Sequence, residues 1–174
     1  LFSSNSMAIR DLDSFSGNGS NNLRLMANRG VSGIDGNLST LLGLAAANAS
    51  APGITLGLIG DLALFHDMNA LLMAREVEAI IVLFNNNGGS IFKHLPQAGL
   101  PEFERTWQTP TNLDFATVAQ LYHLDYQHVC DNDAFAEALK GALQQSGVRL
   151  IEVAIDAETS LQAHRHYWQA VAAE

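Results

Sequence analysis

The sequence predicts an α/β fold: a three-layer, doubly wound, mostly parallel sheet of five to six strands with helices on both faces. Three observations carry this. Strand-like and helix-like runs alternate along most of the chain. The clearest strand, Ala79 to Phe84, is apolar throughout, as expected of a strand covered on both faces. Polar groups then follow directly on apolar strands: Gly60-Asp61 after Thr55 to Ile59, and Asn85-Asn86-Asn87-Gly88-Gly89 after Phe84. In a parallel sheet both groups emerge at the carboxyl edge, where such folds bind ligands.

Taken in order, residues 11 to 22 are polar and glycine-rich and read as a loop, most clearly over Gly17 to Asn22. Leu23 to Ala27 reads as a short buried strand. Gly30 to Gly36 is a glycine-spaced turn into a helix through Leu38, Leu41, Leu42 and Leu44 to Ala47, with Asp35 a candidate cap. Asn48 to Gly53, containing Pro52, ends it. After the strand Thr55 to Ile59, Leu62 to Val77 places Leu64, Met68, Leu71 and Leu72 at helical spacing.

Beyond Phe92 periodicity fails. Lys93 to Asn112, with Pro96, Pro101 and Pro110, reads as a long loop with at most one helical turn. Loops of that length are commonly functional. Its apolar residues Leu95, Leu100, Phe103 and Trp107 suggest a mobile lid that closes over something. Asn112 or Asp114 can cap a helix over Phe115 to Tyr122, and Tyr126 to Val129 is a strand. Asp131 or Asp133 starts a helix through Leu143, Arg149 to Ile155 is a strand, and Thr159 to Ala173 is a closing helix.

The 174 residues fit one domain with a real core. A net charge of −9 argues against a general nucleic-acid or anionic-membrane surface. A local phosphate site stays possible, because a cation and backbone amides supply positive potential. The single cysteine, Cys130, excludes an intrachain disulfide and points to a reducing compartment. No apolar run is long enough to span a bilayer and no signal peptide is evident, so a cytoplasmic protein is expected.

The chemistry concentrates at residues 60 to 89. An acid at one strand end and an amide cluster at the next suit a hard divalent cation, which takes oxygen ligands and often accompanies phosphate. Each feature has a plain reading too: Asp61 as a helix cap, and the asparagine run as a turn with glycine at positive φ. Together, the pattern resembles the thiamine-diphosphate motif, Gly-Asp-Gly followed about two dozen residues later by Asn-Asn. Here 23 residues separate Asp61 from Asn85, and Leu62 stands at the third position. The Gly-Asp-Leu variant resembles one branch, the 2-succinyl-5-enolpyruvyl-6-hydroxy-3-cyclohexene-1-carboxylate synthases of menaquinone biosynthesis. Asn28 to Gly36, Asp67 to Leu71, and Asn85 to Gly89 with Ile91-Phe92 are similar to that branch as well.

The resemblance implies thiamine diphosphate and Mg²⁺ (or Mn²⁺) as cofactors. Asp61 matches the acidic metal ligand, Asn86 the amide ligand and Gly88 the backbone-carbonyl ligand, with Asn85 and Asn87 one step behind. Ser6, Ser32, Gly33, Gly60, Leu62 and Ile91 match cofactor-contacting positions. Ile34 matches the bulky residue that bends the cofactor. Arg10 and Arg29 match catalytic positions that bind substrate carboxylates, for which the guanidinium fork is suited. Ile91, Phe92 and Leu95 would form an apolar, substrate-facing wall.

The implied enzyme is a transferase that decarboxylates 2-oxoglutarate and joins the remainder to isochorismate. The implied partner is the N-terminal pyrimidine-binding domain of a neighbouring subunit, in a homodimer or homotetramer. The whole chain, 1–174, would be the C-terminal diphosphate-binding domain of a longer enzyme, inactive alone. Another thiamine-diphosphate 2-oxo-acid decarboxylase, an acetolactate-type synthase, or a non-catalytic binding or assembly module remain alternatives. The six histidines suggest no metal site or catalytic triad. Only His94, in the loop beside the site, stands out.

Overall fold

A computed structural model describes residues 1–17, 19 and 23–173. Six strands form one sheet in the order β2-β1-β3-β4-β6-β5. They are β1 (Phe2–Ser3), β2 (Met26–Ala27), β3 (Thr55–Gly60), β4 (Ala79–Asn85), β5 (Asp125–Val129) and β6 (Val148–Ala154). Every neighbouring pair is parallel. The six helices are α1 (Met7–Phe15), α2 (Asn37–Ala47), α3 (Asp61–His66), α4 (Phe115–Tyr122), α5 (Asn132–Ala142) and α6 (Ala157–Val171). From β1 the chain winds outward to β2, then returns across β1 to begin β3 and winds the other way. The reversal lies between β1 and β3, and it opens a crevice at their carboxyl ends.

Side-chain alternation along β4 builds two cores. Ala79, Ile81 and Leu83 face Leu38, Leu41 and Leu42 of α2, Leu64 of α3 and Phe115 of α4 in one cluster. Ile80 and Val82 face Ala138 and Ala142 of α5 in the other. A strand buried on both sides must be apolar at every position, which explains the unbroken run at Ala79 to Phe84. Among the described residues no helix is long and apolar enough to cross a membrane.

Several local expectations are corrected. α1 occupies the first part of the loop read at 11 to 22, and Gly17 to Asn22 falls largely outside the described residues. The strand expected at Leu23 to Ala27 is confined to Met26–Ala27, and Leu23 and Leu25 are exposed. Gly36, at φ 65°, caps α2 in place of Asp35.

The helix expected over Leu62 to Val77 breaks at Asp67. Its carboxylate instead accepts hydrogen bonds from Ser39 N (2.7 Å) and Ser39 Oγ (2.9 Å). Asp67 thus serves the first turn of α2, which lacks a side-chain cap of its own. A 3₁₀ segment, Met68–Arg75, continues the chain. Asp114, Asp131 and Asp156 cap α4, α5 and α6 through backbone amides two to three residues on.

The long loop holds more structure than one turn: 3₁₀ segments Ser90–His94 and Pro96–Gly99, then a π-helical turn at Glu104–Gln108. Three prolines forbid a continuous helix, and single anchors replace periodic burial. Phe103 is buried, and the Trp107 ring meets Phe92 edge-on at 5.5 Å.

Candidate active site

The crevice between β1 and β3 is a cavity of about 560 Å³, in the range of small-molecule and cofactor sites. It is lined from the carboxyl strand ends: Ser4 to Ser6 after β1, Arg29 after β2, Asp61 after β3, Asn86 and Gly88 after β4, and Ile155 after β6. Register explains the meeting of its central residues. Gly60 pairs with Phe84 across β3 and β4, so the strands end side by side.

Asp61 is 3% exposed, and its Oδ2 accepts from Gly88 N at 2.7 Å. Burial pushes its pKa up to about 6, against the pull of the Gly88 and Leu62 amides, and the Glu152 charge adds to the rise. A carboxylate so placed is costly to ionise alone and is stabilised by an adjacent cation.

The three asparagines divide their work. Asn85 donates from Nδ2 to Glu152 Oε1 at 2.7 Å and accepts from Asn87 N at 3.1 Å. Asn87 donates from Nδ2 to Asn112 Oδ1 at 2.8 Å, and its Oδ1 accepts from Asn112 N at 2.9 Å. Of the three, Asn86 differs: its Oδ1 is buried with no hydrogen-bond partner among the described residues. A buried carbonyl oxygen left unpaired is expensive. Asn86 lines the same cavity as Asp61, and an oxygen of this kind is one a hard cation would satisfy. The donor set therefore fits Mg²⁺ with a diphosphate.

Gly88 sits at φ 129°, a conformation that favours glycine, and a Cβ there would strike the Gln108 carbonyl. Gly89 N donates to that same carbonyl at 2.7 Å, so the π-helical turn rests directly on the amide cluster.

The cavity also gathers Ser6, Arg10, Arg29, Ser32, Gly33, Ile34, Gly60, Leu62, Ile91 and Phe92. Arg29 Nη1 donates to Asn5 Oδ1 at 2.7 Å, and Asn5 Nδ2 donates to Gly33 O at 2.6 Å. Asn5, 3% exposed, thus ties the Arg29 head to the glycine turn. Arg10 Nη1 donates to Ser6 O at 2.7 Å. Ser6 and Ser32 hold φ values of 66° and 62°. Strained non-glycine residues of this kind cluster at ligand sites. Ile34 is half-buried against the core beneath the turn. Leu95 is the exception. It is exposed and does not line the cavity, because the chain turns away at Pro96 into the next 3₁₀ segment.

Four further residues belong to this site and escaped sequence reading. Ser4 and Asn5 follow a two-residue strand, too short to show periodicity. Asp11 and His164 also line the cavity, and Asp11 Oδ1 lies 2.8 Å from His164 Nε2, across 153 residues of chain. Polar spacing flags none of them. Among the described residues no three His, Cys, Asp or Glu side chains converge as a metal cluster.

The profile of the family described as thiamine pyrophosphate enzyme, C-terminal TPP binding domain, matches residues 17–153. The chain is 45% identical over 166 residues to a 2-succinyl-5-enolpyruvyl-6-hydroxy-3-cyclohexene-1-carboxylate synthase of Desulfitobacterium hafniense, covering 94% of this chain and 30% of that protein. It is 43% identical over 169 residues to the synthase of the same name from Lactococcus lactis subsp. lactis, covering 96% and 30%. The chain therefore spans about 30% of the length of these relatives. Its fold is similar to that of benzoylformate decarboxylase from Polynucleobacter necessarius, with a TM-score of 0.74 at 20% identity, over 90% of this chain and 30% of that one. With the profile extending across both strand-end groups, the chain belongs to the thiamine pyrophosphate enzymes, as a C-terminal TPP binding domain.

Proposed function

We propose that this domain supplies the diphosphate and cation half of a thiamine-diphosphate-dependent carboligase that decarboxylates 2-oxoglutarate and joins the remaining four-carbon unit to isochorismate. The observation that carries the reading is the unpaired Asn86 carbonyl beside buried Asp61, in a cavity that also takes up Arg10 and Arg29. The identity to synthases of that name over nearly the whole chain supports the substrate pair.

When bound, the cofactor supplies the carbanion chemistry that a 2-oxo acid needs to lose CO₂. The chain's own residues do the rest. Asp61, Asn86 Oδ1 and the Gly88 carbonyl hold Mg²⁺ (or Mn²⁺) and, through it, the diphosphate. Ile34, which lines the cavity and packs against the core, would set the shape in which the cofactor is held. Ile91 and Phe92 keep water from the reacting carbon. Arg29, braced by Asn5, and Arg10 bind substrate carboxylates. Both substrates carry more than one carboxylate, which gives two arginines a use.

The pyrimidine-binding domain of a neighbouring subunit completes the site in a homodimer or homotetramer of a longer, cytoplasmic protein. This domain alone is inactive. The test is an assay of the full-length protein with thiamine diphosphate, Mg²⁺, 2-oxoglutarate and isochorismate. Consumption of isochorismate coupled to CO₂ release is expected. Release of a free aldehyde with isochorismate untouched, or turnover only with a different 2-oxo acid, would overturn the assignment in favour of a decarboxylase or acetolactate-type synthase.

A further inference from the structure

On the cavity wall formed by α1, α6 and the Ser90–His94 turn, two histidines meet. The His164 ring is pinned at both nitrogens: Nδ1 lies 2.7 Å from the Ser160 carbonyl and Nε2 lies 2.8 Å from Asp11 Oδ1. A carbonyl only accepts, so Nδ1 carries a proton. A carboxylate faces Nε2, and a bare lone pair there would be repelled. Both nitrogens therefore donate, and His164 sits as an imidazolium. Burial opposes this, but the bonds to Asp11 and Ser160 outweigh it, and the His164 pKa rises.

The His94 ring stands edge-on to this fixed cation, with centroids 5.5 Å apart and planes at 82°. His94 follows Ile91 and Phe92 on the same turn, is exposed, and lines the cavity together with Arg10 and Arg29. The turn is also tied to α6 by Lys93 and Glu158, 3.8 Å apart.

We propose that His94 is a further substrate-contacting residue of this site, donating a hydrogen bond to an anionic oxygen of the substrate, and that the Asp11–His164 pair positions its ring. The inference rests on the carboligase reading above. The groups facing His94 are His164 and Arg165 from α6 and Asp11 from α1, with Lys93 beside it on its own turn. Burial and the two α6 cations hold its pKa below the ordinary value, outweighing Asp11. A neutral imidazole donates without bringing a permanent charge, and so adds direction where the arginines already add charge.

The test uses the full-length protein loaded with thiamine diphosphate and Mg²⁺. His94→Phe keeps a ring against His164 and removes the donor. 2-Oxoglutarate binding should weaken by about tenfold or more, the usual effect of losing a bond to a charged group, while cofactor affinity stays unchanged. His94→Gln should recover part of the loss. With ring-labelled histidine, His164→Gln should move the His94 titration upward in the NMR spectrum, a response that packing alone would not produce. Equal 2-oxoglutarate affinity in wild type and His94→Phe overturns the contact. An unmoved His94 titration in His164→Gln overturns the positioning role. If wild type itself fails to bind 2-oxoglutarate, the carboligase reading fails first and the contact falls with it.

Discussion

Two walls of one cavity are built on opposite principles. At the ends of β3 and β4, Asp61, Asn86 and Gly88 are locked by backbone: a strand register, a glycine at positive φ and an amide bonded to the carboxylate. Across α1 and α6, Asp11 and His164 are half-buried and joined by one ion pair, with the exposed His94 ring edge-on to them. The first wall leaves a polar atom unpaired, so it stores an unmet demand that only a ligand satisfies. The second pairs Asp11 with His164 and leaves the exposed His94 ring open to the cavity. A rigid, unsatisfied wall suits a cofactor that stays, and an adjustable one suits substrates that come and go.

The largest expected effect tests the first wall. Asp61→Asn keeps an acceptor for Gly88 N but loses the charge. Loss of a buried charge partner costs on the order of 3 kcal/mol, so Mg²⁺-dependent binding of thiamine diphosphate to the full-length protein should weaken by about 100-fold in calorimetry. Undiminished binding would remove Asp61 from the cation site.

Next comes a contrast within the asparagine run. Asn86 Oδ1 has no hydrogen-bond partner among the described residues, so Asn86→Ala should weaken cofactor binding while leaving the melting temperature of the free protein nearly unchanged. Asn87→Ala breaks both bonds to Asn112. It should destabilise the free protein by about 1–2 kcal/mol with a smaller effect on the cation. Identical profiles for the two variants would erase the division of labour.

Arg29→Ala is expected to raise the KM for anionic substrates by about tenfold or more through loss of a charge-assisted contact, with cofactor affinity unaffected. Asn5→Ala should follow in the same direction and by less, since it frees the Arg29 head and cuts its tie to the Gly33 carbonyl but keeps the guanidinium. A matching loss of cofactor affinity in Arg29→Ala would move that residue to the first wall.

The smallest effect is a pH dependence on the second wall. The folded pKa of His164 lies above its ordinary 6.5. A raised folded pKa means the stabilisation is fully present below about 6.5 and is lost as pH rises through the folded value. Thermal unfolding of wild type and Asp11→Asn should therefore differ most near pH 6 and converge at higher pH. A difference that grows with pH would give the opposite sign and rule out the imidazolium.

The contrast between the walls also governs what the sequence reveals. The strand-end wall depends on residues adjacent in the chain, Gly60-Asp61 and Asn85 to Gly89, each announced by an apolar run, so its members and its place on the sheet could be read directly. The helix wall depends on a contact across 153 residues. Nothing near Asp11 or His164 in the sequence marks it. β1 was invisible for a similar reason: two residues carry no period, and β1 is defined by the neighbours it joins. Asp67 shows how tertiary demand defeats a local pattern, since the helical spacing through Leu72 was real but the carboxylate was needed at Ser39.

The reciprocal Asn87–Asn112 amide pair has a mechanical consequence. It knots the chain into a noose, with the asparagine run at one end and the approach to α4 at the other. Because both ends are tied, the intervening stretch cannot swing from a single hinge. Within it, buried Phe103, the Trp107–Phe92 contact and the Gly89–Gln108 bond add further ties, and Leu95 and Leu100 stay exposed. Asn87, the residue next to the unpaired carbonyl, is one end of that tie, so the place of the asparagine run and the place of the covering segment are set by one closed loop.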